Sequence, residues 1–289
     1  MRRFIALLLL FLPAFSLAVC IEDDTAQKIC LEKPAARVIS LYGAYTEIVS
    51  ALGAEETIIA RTKNDDTVEE VKDAPVLGTG LRPNIEYILA LRPDLVLSRG
   101  SKASAEAISQ MRARGIAVAA FDPESVAQTL SAIERIGALL GRKTQGKELA
   151  AKIKSEVEAV ASKTAKVTSR PAVAFEVRAE PLTLAGIGGI VAELIKIAGG
   201  EIAVKADKKL VRFDMEALLA LNPDAYVVQS GPMNKNPPPP AERPFHRKLK
   251  AVKEGRVLVV DEKEISRPGV GLGGAAETLG RFLHPELWR

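Results

Sequence analysis

The sequence predicts an α/β fold made of two Rossmann-like lobes, each with a mostly parallel sheet, bridged by one long α-helix. Short apolar runs alternate with helical patterns before residue 142 and again after residue 167. The stretch between them is long, charged and helical, and no strand pattern accompanies it. Because strands that alternate with helices form parallel sheets covered on both faces, the alternation predicts two such lobes and the charged stretch predicts their connector.

The N-terminus, residues 1–18, reads MRRFIALLLLFLPAFSLA and predicts a signal peptide. A basic pair precedes an apolar run, and Ser16 and Ala18 are small residues at the positions that precede a cleavage site. The run is short for a membrane span, and the alternative is a permanent N-terminal anchor. We therefore expect a protein exported to the periplasm, where disulfide bonds persist.

The charge balance of the exported chain is close to neutral. Removing residues 1–18 takes Arg2 and Arg3 from the 40 basic residues and nothing from the 36 acidic ones. The sequence also has no basic stripe interleaved with aromatic residues, which is the pattern of nucleic-acid binding. We expect no nucleic-acid partner.

Residues 19–34 contain VCIEDDTAQKICL, which predicts a β-hairpin closed by a disulfide bond. Pairing Ile21 with Ile29 also places Cys20 opposite Cys30, and directly opposed residues lie within disulfide reach. Two alternatives remain open from the sequence. Cys20 could instead be acylated as in a lipoprotein, although Val19 stands where such signals usually carry a small residue, or both thiols could be free.

Residues 35–141 predict the first lobe. Its predicted strands are RVISL (37–41), TIIAR (57–61), LVLS (95–98) and IAVAAFD (116–122). Its predicted helices are TEIVSALG (46–53), NIEYILAL (84–91), SAEAISQMRARG (104–115) and VAQTLSAIERIGALLG (126–141). Gly53 and Pro93 are typical of residues that end helices.

Residues 142–167 predict the connecting helix. Within it, Leu149, Ile153, Val157 and Val160 form one apolar stripe, while Lys and Glu occupy most other positions. A long helix without a strand partner, placed between two alternating regions, predicts a stiff bridge.

Residues 168–289 predict the second lobe. Its predicted strands are AVAFEV (172–177), AYVVQS (225–230) and RVLVVD (256–261), and its predicted helices are GIVAELIKIAGG (189–200), DMEALLAL (214–221) and AAETLGRFL (275–283). Each lobe contains one similar unit, NIEYILALRPD at 84–94 and DMEALLALNPD at 214–224. A packing solution reused after duplication would by itself account for this repeat.

Together these segments resemble the periplasmic substrate-binding proteins of ABC importers for iron chelates, haem and cobalamin. The resemblance rests on RVISL followed by TEIVSALG, on NIEYILALRPDLVLS, on the single long helix and on DMEALLALNPDAYVVQS, and it extends to the C-terminus. It implies a ligand between two α/β lobes and a helical bridge that allows only small lobe movements. It also implies a monomeric, non-catalytic protein that works with an ABC permease and its ATPase.

The same resemblance implies one surface glutamate on each lobe that docks into an arginine pocket of the permease. The matching positions are Glu86 and Glu216, both inside the repeat. A two-fold permease presents two equivalent pockets and requires a similarly placed anion on each lobe. The alternative is local, because Asn84 and Asp214 are good N-caps and an acid two residues later suits the helix dipole.

In such a fold the ligand contacts loops at strand ends that face the other lobe. These loops are rich in arginine, which pairs carboxylates and phosphates bidentately and stacks on flat rings. A tyrosine there can ligate ferric haem or line an apolar wall. The predicted ligand-binding residues are Tyr42, Tyr45, Arg61, Arg82, Arg99, Arg178 and Arg267. An iron–siderophore-type chelate is the first ligand candidate, cobalamin or another corrinoid the second, and haem the third.

Neither a bare-metal site nor a separate cofactor is predicted. The only histidines are His246 and His284, both expected at the surface or at helix ends, and zinc-type sites need several histidines with carboxylates. GVGLGG at 269–274 matches the letters of a dinucleotide-binding loop, but it follows a proline and leaves no room for a βαβ unit. A nucleotide-binding α/β enzyme is therefore only a remote alternative.

Overall fold

The computed structural model describes residues 18–63, 65 and 67–289 of the 289-residue chain. Apart from Ala18, the predicted signal peptide lies outside the described residues. Within the described part, no helix combines the length and the apolar character needed to cross a membrane.

The chain begins with the predicted antiparallel hairpin, formed by β1 (Val19–Glu22) and β2 (Lys28–Leu31). Cys20 lies opposite Cys30 in the register, and the two form a disulfide bond. The disulfide prediction is confirmed, and its register is the predicted one. Because both sulfurs are used in the bond, Cys20 has no thiol for the acylated alternative.

The turn of this hairpin is fixed to the first lobe through Asp23. The buried carboxylate accepts hydrogen bonds from the backbone N–H of Ala120 at 2.8 Å and from Nη2 of Arg112 at 2.5 Å. Burial raises the pKa of Asp23, but the hydrogen bonds from Thr25, Ala120 and Gln27 lower it more. The hairpin is therefore anchored to the sheet beside it by an ionised side chain.

The first lobe contains a four-stranded parallel sheet with helices on both faces. In chain order its elements are β3 (Val38–Ser40), α1 (Gly43–Ala51), β4 (Ile58–Ala60), β5 (Gly78–Thr79), β6 (Arg82–Pro83), α2 (Ile85–Leu91), β7 (Leu95–Arg99), α3 (Ala105–Ala113), β8 (Val118–Phe121) and α4 (Val126–Leu139). The parallel sheet has the order β4–β3–β7–β8, and β5 pairs with β6 in a small hairpin. All four predicted strands and all four predicted helices are present.

The second lobe follows the connecting helix α5 (Lys143–Thr164). Its elements are β9 (Ala172–Arg178), β10 (Thr183–Ala185), α6 (Ile190–Ile197), β11 (Glu201–Ile202), β12 (Leu210–Arg212), α7 (Met215–Leu221), β13 (Ala225–Ser230), α8 (Lys250–Lys253), β14 (Val257–Asp261), α9 (Glu262–Ile265) and α10 (Leu272–Leu283). The sheet has the order β12–β10–β9–β13–β14, with β11 also beside β9. Only β10 runs antiparallel to its neighbours, so the predicted mostly parallel sheet is confirmed.

The connecting helix joins the two lobes through one continuous core. It packs against α4 of the first lobe and against α6 and α10 of the second. Three of the four stripe residues, Ile153, Val157 and Val160, are buried, and Leu149 packs against the same cluster. Because the stripe lies in apolar contact with both lobes, the helix is a packed element rather than a free tether.

The two repeated units begin with the same helix cap. The side chain of Asn84 accepts a hydrogen bond from the N–H of Tyr87 at 3.0 Å, and Asp214 accepts one from Ala217 at 2.7 Å. Each cap satisfies a backbone donor that the first turn of α2 or α7 leaves unpaired.

The Pro–Asp pair at the end of each repeated unit also has a structural role. Asp94 accepts hydrogen bonds from the N–H groups of Ala36 and Arg37, at 3.0 Å each, just before β3. Asp224 accepts one from the N–H of Ala172, at 2.9 Å, where β9 begins. In each lobe the aspartate of the repeat therefore connects the start of one strand to the start of the neighbouring strand. This structural role explains the aspartate without any contact to another protein.

Candidate functional site

A cleft between the lobes lies at the carboxyl ends of the parallel strands. It consists of two adjoining cavities of about 190 Å³ and 420 Å³, each lined by both lobes. The residues common to both cavities are Tyr42, Arg99, Met233, Glu262 and Arg267. Three of them were predicted from the sequence as ligand-binding residues, and the structure brings these three together from opposite lobes.

Tyr42 lies at the junction of the two cavities. It follows β3 with the extended backbone of the residue before α1, and its ring lies 5.1 Å from the ring of Tyr45 in that helix. The Arg99 guanidinium lies 5.1 Å from the centre of the Tyr42 ring. Burial raises the pKa of the Tyr42 hydroxyl, while the positive charges of Arg99 and Arg267 oppose the increase.

Arg99, at the end of β7, belongs to an ion-pair network that crosses the cleft. Its Nη2 lies 2.9 Å from Asp122, and the same carboxylate lies 3.0 Å from Nζ of Lys209 in the second lobe. Burial raises the pKa of Asp122, but Arg99 and Lys209 lower it more, so the carboxylate is ionised between two cations. Lys209 also lies 3.0 Å from Glu124.

Arg267 makes the second connection between the lobes. Its side chain is only 7% exposed, and Nη1 lies 3.1 Å from the Glu47 carboxylate on α1 of the first lobe. A Cβ atom at position 43 would lie 2.6 Å from Nη1 of Arg267, which is too close. This explains why α1 begins with a glycine. The two lobes are therefore in direct polar contact on both sides of Tyr42.

Two lysines complete the cationic lining of the larger cavity. Lys63 comes from the first lobe and Lys235 from the second, and both are exposed. No ion pair of either lysine occurs among the described residues, in contrast to Arg99 and Arg267, which already face carboxylates. The lysines are thus the more available charges for a ligand.

Four predicted ligand-binding residues do not line this cleft. Tyr45 is fully buried, and its hydroxyl donates to the carbonyl of Phe121 at 2.5 Å, so it supports Tyr42 from below. Arg82 is exposed on β6 outside both cavities. Arg178 lines a separate groove of the second lobe.

Arg61 is the fourth of these, and its role is structural. Its buried guanidinium donates to the backbone carbonyls of Val71, at 2.8 Å, and of Thr62 and Lys72. The side chain therefore holds the loop after β4 in place. Sequence alone could not separate Arg61 from Arg99, because both follow a buried strand.

The cleft also contains residues that were not predicted from the sequence. Asp122 follows β8 directly and Arg99 is the last residue of β7, so the strand-end rule applied to arginines would also have found Asp122. Glu262 and Lys209 have no comparable signal, since Glu262 starts a four-residue helix and Lys209 precedes a strand that was not predicted. Met233 and Lys235 lie in the loop that follows β13.

The described residues contain no group of three or more His, Cys, Asp or Glu side chains able to hold a metal ion. Both histidines are buried rather than at the surface, but both lie at helix ends, since His246 begins a short 3-10 helix and His284 follows α10. His246 lies 3.6 Å from the buried Glu176 carboxylate in the second lobe, and Nε2 of His284 donates to the carbonyl of Gly199 at 3.1 Å. The GVGLGG segment at 269–274 includes the start of α10, and a short helix, α9, precedes it instead of a strand. It therefore lacks the strand that a dinucleotide-binding loop follows.

Glu86 and Glu216 both occupy the first turn of the repeated helices. Each is exposed, and each follows a capping residue by two positions. Nη2 of Arg114 lies 3.8 Å from Glu86, with both side chains largely in solvent, so this contact contributes little.

Two α/β lobes with mostly parallel sheets, a connecting helix and a cleft that charged residues of both lobes line are the architecture of a solute-binding protein. The chain belongs to the periplasmic binding protein family, which matches residues 38–264. It is a substrate-binding component of an ABC importer and not an enzyme.

Known proteins similar to this chain include carriers with different ligands. The chain is 29% identical over 234 residues to the uncharacterized ABC transporter substrate-binding lipoprotein YvrC of Bacillus subtilis, covering 79% of this chain and 73% of that protein. It is 28% identical over 208 residues to the high-affinity heme uptake system protein IsdE of Staphylococcus aureus, covering 66% of this chain and 68% of IsdE. The fold also matches the periplasmic vitamin B12 binding protein BtuF of Vibrio cholerae, with a TM-score of 0.76 and 19% identity over 89% of this chain and 99% of that one.

Proposed function

We propose that the cleft binds an anionic ferric complex, with an iron–siderophore-type chelate as the first candidate. The observation that carries this proposal is the position of Tyr42 between an arginine of each lobe, with Lys63 and Lys235 nearby. Arg99 and Arg267 face internal carboxylates, whereas the two lysines offer charge to a ligand. The adjoining cavities are together within the usual size of small-molecule sites.

Haem is the second candidate, and one observation favours it. Tyr42 lines both cavities, and a tyrosine phenolate is a known axial ligand of ferric haem. Burial raises the pKa of Tyr42, and the positive charges of Arg99 and Arg267 partly oppose this increase. The similarity to IsdE, whose name states haem uptake, supports the same candidate.

Absorbance titration of the purified mature protein tests these candidates. Ferric siderophores, haem and cyanocobalamin are added separately, with tryptophan fluorescence followed in parallel. Saturable binding of a ferric siderophore supports the first candidate, and a haem spectrum that changes in Tyr42→Phe supports the second. Binding of cyanocobalamin alone, or of none of the three, overturns the ferric proposal.

Charge-neutral variants separate a site at the lysines from non-specific attraction. Lys63→Gln and Lys235→Gln should each weaken an anionic ligand by about 1–3 kcal/mol, because each removes a charged hydrogen bond. Arg82→Gln is the matched control, since Arg82 is exposed but lies outside both cavities. Equal losses in all three variants would contradict the proposed site.

We also propose that the exported protein is a monomer in the periplasm and that Glu86 and Glu216 contact the permease. The support is their exposure and their equivalent place in two repeated helices, one on each lobe. The capping of these helices is carried by Asn84 and Asp214, so neither glutamate is needed as the N-cap.

A further inference from the structure

A groove of about 680 Å³ lies outside the cleft, on the second lobe. Much of its wall is apolar, and the large apolar side chains in it are Leu182, Phe213, Met215, Met233 and Phe245. Phe245 is 54% exposed, which is unusual for a phenylalanine in a protein with a well-buried core. The groove adjoins the ligand site described above, because Met233 and Lys235 line both.

The groove is directly continuous with the first turn of α7. Met215 lines it and Glu216 is the next residue. The N–H of Phe213 donates to the carbonyl of Leu182 at 3.0 Å, which holds the segment before α7 against the groove wall. An exposed anion and an apolar socket are therefore neighbours on one surface.

The first lobe has a related arrangement around Glu86. Tyr87, the next residue, is 41% exposed, and Leu81 at the tip of the β5–β6 hairpin is 49% exposed. The N–H of Asn84 donates to the carbonyl of Leu77, which fixes the hairpin beside the start of α2. Glu86 thus has two large exposed apolar side chains close to it in the chain, whereas Glu216 has the half-buried Met215 beside it and the exposed Phe245 in the same groove.

An ion pair at a surface contributes little to affinity, because water and salt screen it. Binding energy at protein interfaces comes mainly from a few buried aromatic and apolar anchors, while charges set approach and orientation. Exposed apolar patches beside Glu86 and Glu216 would supply the buried apolar contact area that the two carboxylates do not provide.

We propose that the groove lined by Phe213, Met215 and Phe245 is a socket for an apolar side chain of the permease, next to the basic group that pairs with Glu216. Tyr87 and Leu81 form the counterpart beside Glu86. The proposal rests on the proposed docking role of the two glutamates and names the surface that would provide most of the affinity. The occupant is a periplasmic segment of the permease with an apolar residue close to a basic one.

Three serine variants of the full mature protein test the socket. Phe245→Ser and Tyr87→Ser remove apolar surface beside each glutamate, and Val259→Ser is the matched control. Val259 is 59% exposed on β14 and lines none of the described cavities. Binding of each liganded variant to the cognate permease–ATPase complex in nanodiscs is measured, together with its ligand affinity and its melting temperature.

We expect Phe245→Ser and Tyr87→Ser each to weaken binding to the transporter by ~10-fold or more, with ligand affinity and melting temperature unchanged. Val259→Ser should bind like the wild type. If the serine variants bind normally while Glu86→Ala and Glu216→Ala do not, the socket is wrong and the docking role stands. If all of these variants bind normally, both proposals fail.

A second copy of this chain is the competing occupant of the groove. Sedimentation of the wild type and of Phe245→Ser over a range of concentrations distinguishes it. A monomer at all concentrations supports the permease as occupant. A concentration-dependent dimer that Phe245→Ser abolishes would assign the groove to self-association and overturn the proposal.

Discussion

Glu176 is a charged side chain in the interior of the second lobe. It is fully buried on β9, and its carboxylate accepts hydrogen bonds from Nη1 of Arg243 and from the hydroxyl of Tyr226, both at 2.6 Å. Burial raises the pKa of Glu176, but His246, Arg243 and Tyr226 lower it more, to about 2. The ion pair also fixes the proline-rich loop, because Nε of Arg243 donates to the Pro238 carbonyl.

The depressed pKa gives Glu176 a defined pH dependence. A carboxyl whose pKa falls from 4.5 to about 2 on folding stabilises the protein above pH 4.5, and this contribution is lost as the pH falls towards 2. Glu176→Gln should therefore lower the free energy of unfolding by about 3–5 kcal/mol at pH 7, since it leaves Arg243 buried without its partner. The difference from the wild type should shrink between pH 4.5 and pH 2.

Urea unfolding at several pH values measures this difference. Glu201→Gln is the control, because Glu201 is an exposed partner of Lys205 and should change stability little at any pH. A Glu176→Gln protein as stable as the wild type at pH 7, or a deficit that does not vary below pH 4.5, would contradict the role assigned to the carboxylate.

At the residue scale, contacts that depend on strand register could be predicted from the sequence. Contacts that depend on the direction of a side chain could not. Cys20 and Cys30 were found because one hairpin register aligns them. Arg99 and Arg61 follow buried strands in the same way, yet one enters the cleft and the other bonds to backbone carbonyls of its own loop. Which partner an arginine meets depends on the path of a distant loop, and no local pattern records that path.

At the element scale, the predicted helices and the longer strands were recovered because each has its own periodicity and end signals. The five short strands β5, β6, β10, β11 and β12 were missed, since two or three residues are too few to show an alternating pattern. Their absence from the prediction also hid Lys209, which lies beside β12 and reaches the cleft.

The N-terminal hairpin is the element whose stability depends most on one bond. The cystine closes a loop with a sequence separation of 10 residues, and the chain-entropy argument assigns about 3 kcal/mol to a loop of this size. Reduction of the native protein should lower its free energy of unfolding by about this amount, and the double variant Cys20→Ser, Cys30→Ser should match the reduced wild type.

Thiol labelling and denaturant unfolding check this prediction together. The unreduced mature protein should contain no reactive thiol, because the described residues contain no free cysteine. Labelling of both cysteines without a reductant would exclude the bond. A double variant that is as stable as the oxidised wild type would show instead that Asp23 and its partners hold the hairpin without it.

At the scale of the whole molecule, the two-lobed architecture could be predicted because a long charged helix between two alternating regions is visible in the sequence. The way the lobes meet could not. Arg267 and Glu47 are 220 residues apart in the chain, and Lys209 and Asp122 are 87 apart, yet both pairs join the lobes across the cleft. Because of these contacts and the continuous core along α5, we expect only small relative movements of the lobes.

Because Glu86 and Glu216 lie on separate lobes, we expect their contributions to the free energy of permease binding to be additive. Glu86→Ala and Glu216→Ala should each weaken association with the permease, and the double variant should show the product of the two effects, because distant sites act independently. Each loss should decrease as salt is raised, since exposed charges are screened. Ligand affinity should remain that of the wild type in all three proteins, because neither glutamate lines the cleft.

Glu106→Ala separates docking from the helix-dipole alternative. Glu106 is also an exposed acid in the first turn of a helix, α3, but it lies outside the repeat. If the glutamates only stabilise their helices, all three alanine variants should lose a similar small amount of stability, about 0.3–1 kcal/mol, and none should lose association. If they dock, only Glu86→Ala and Glu216→Ala should reduce transport and binding to the permease. Unchanged transport in the double variant would reject the docking role and leave the repeat as a packing unit used twice.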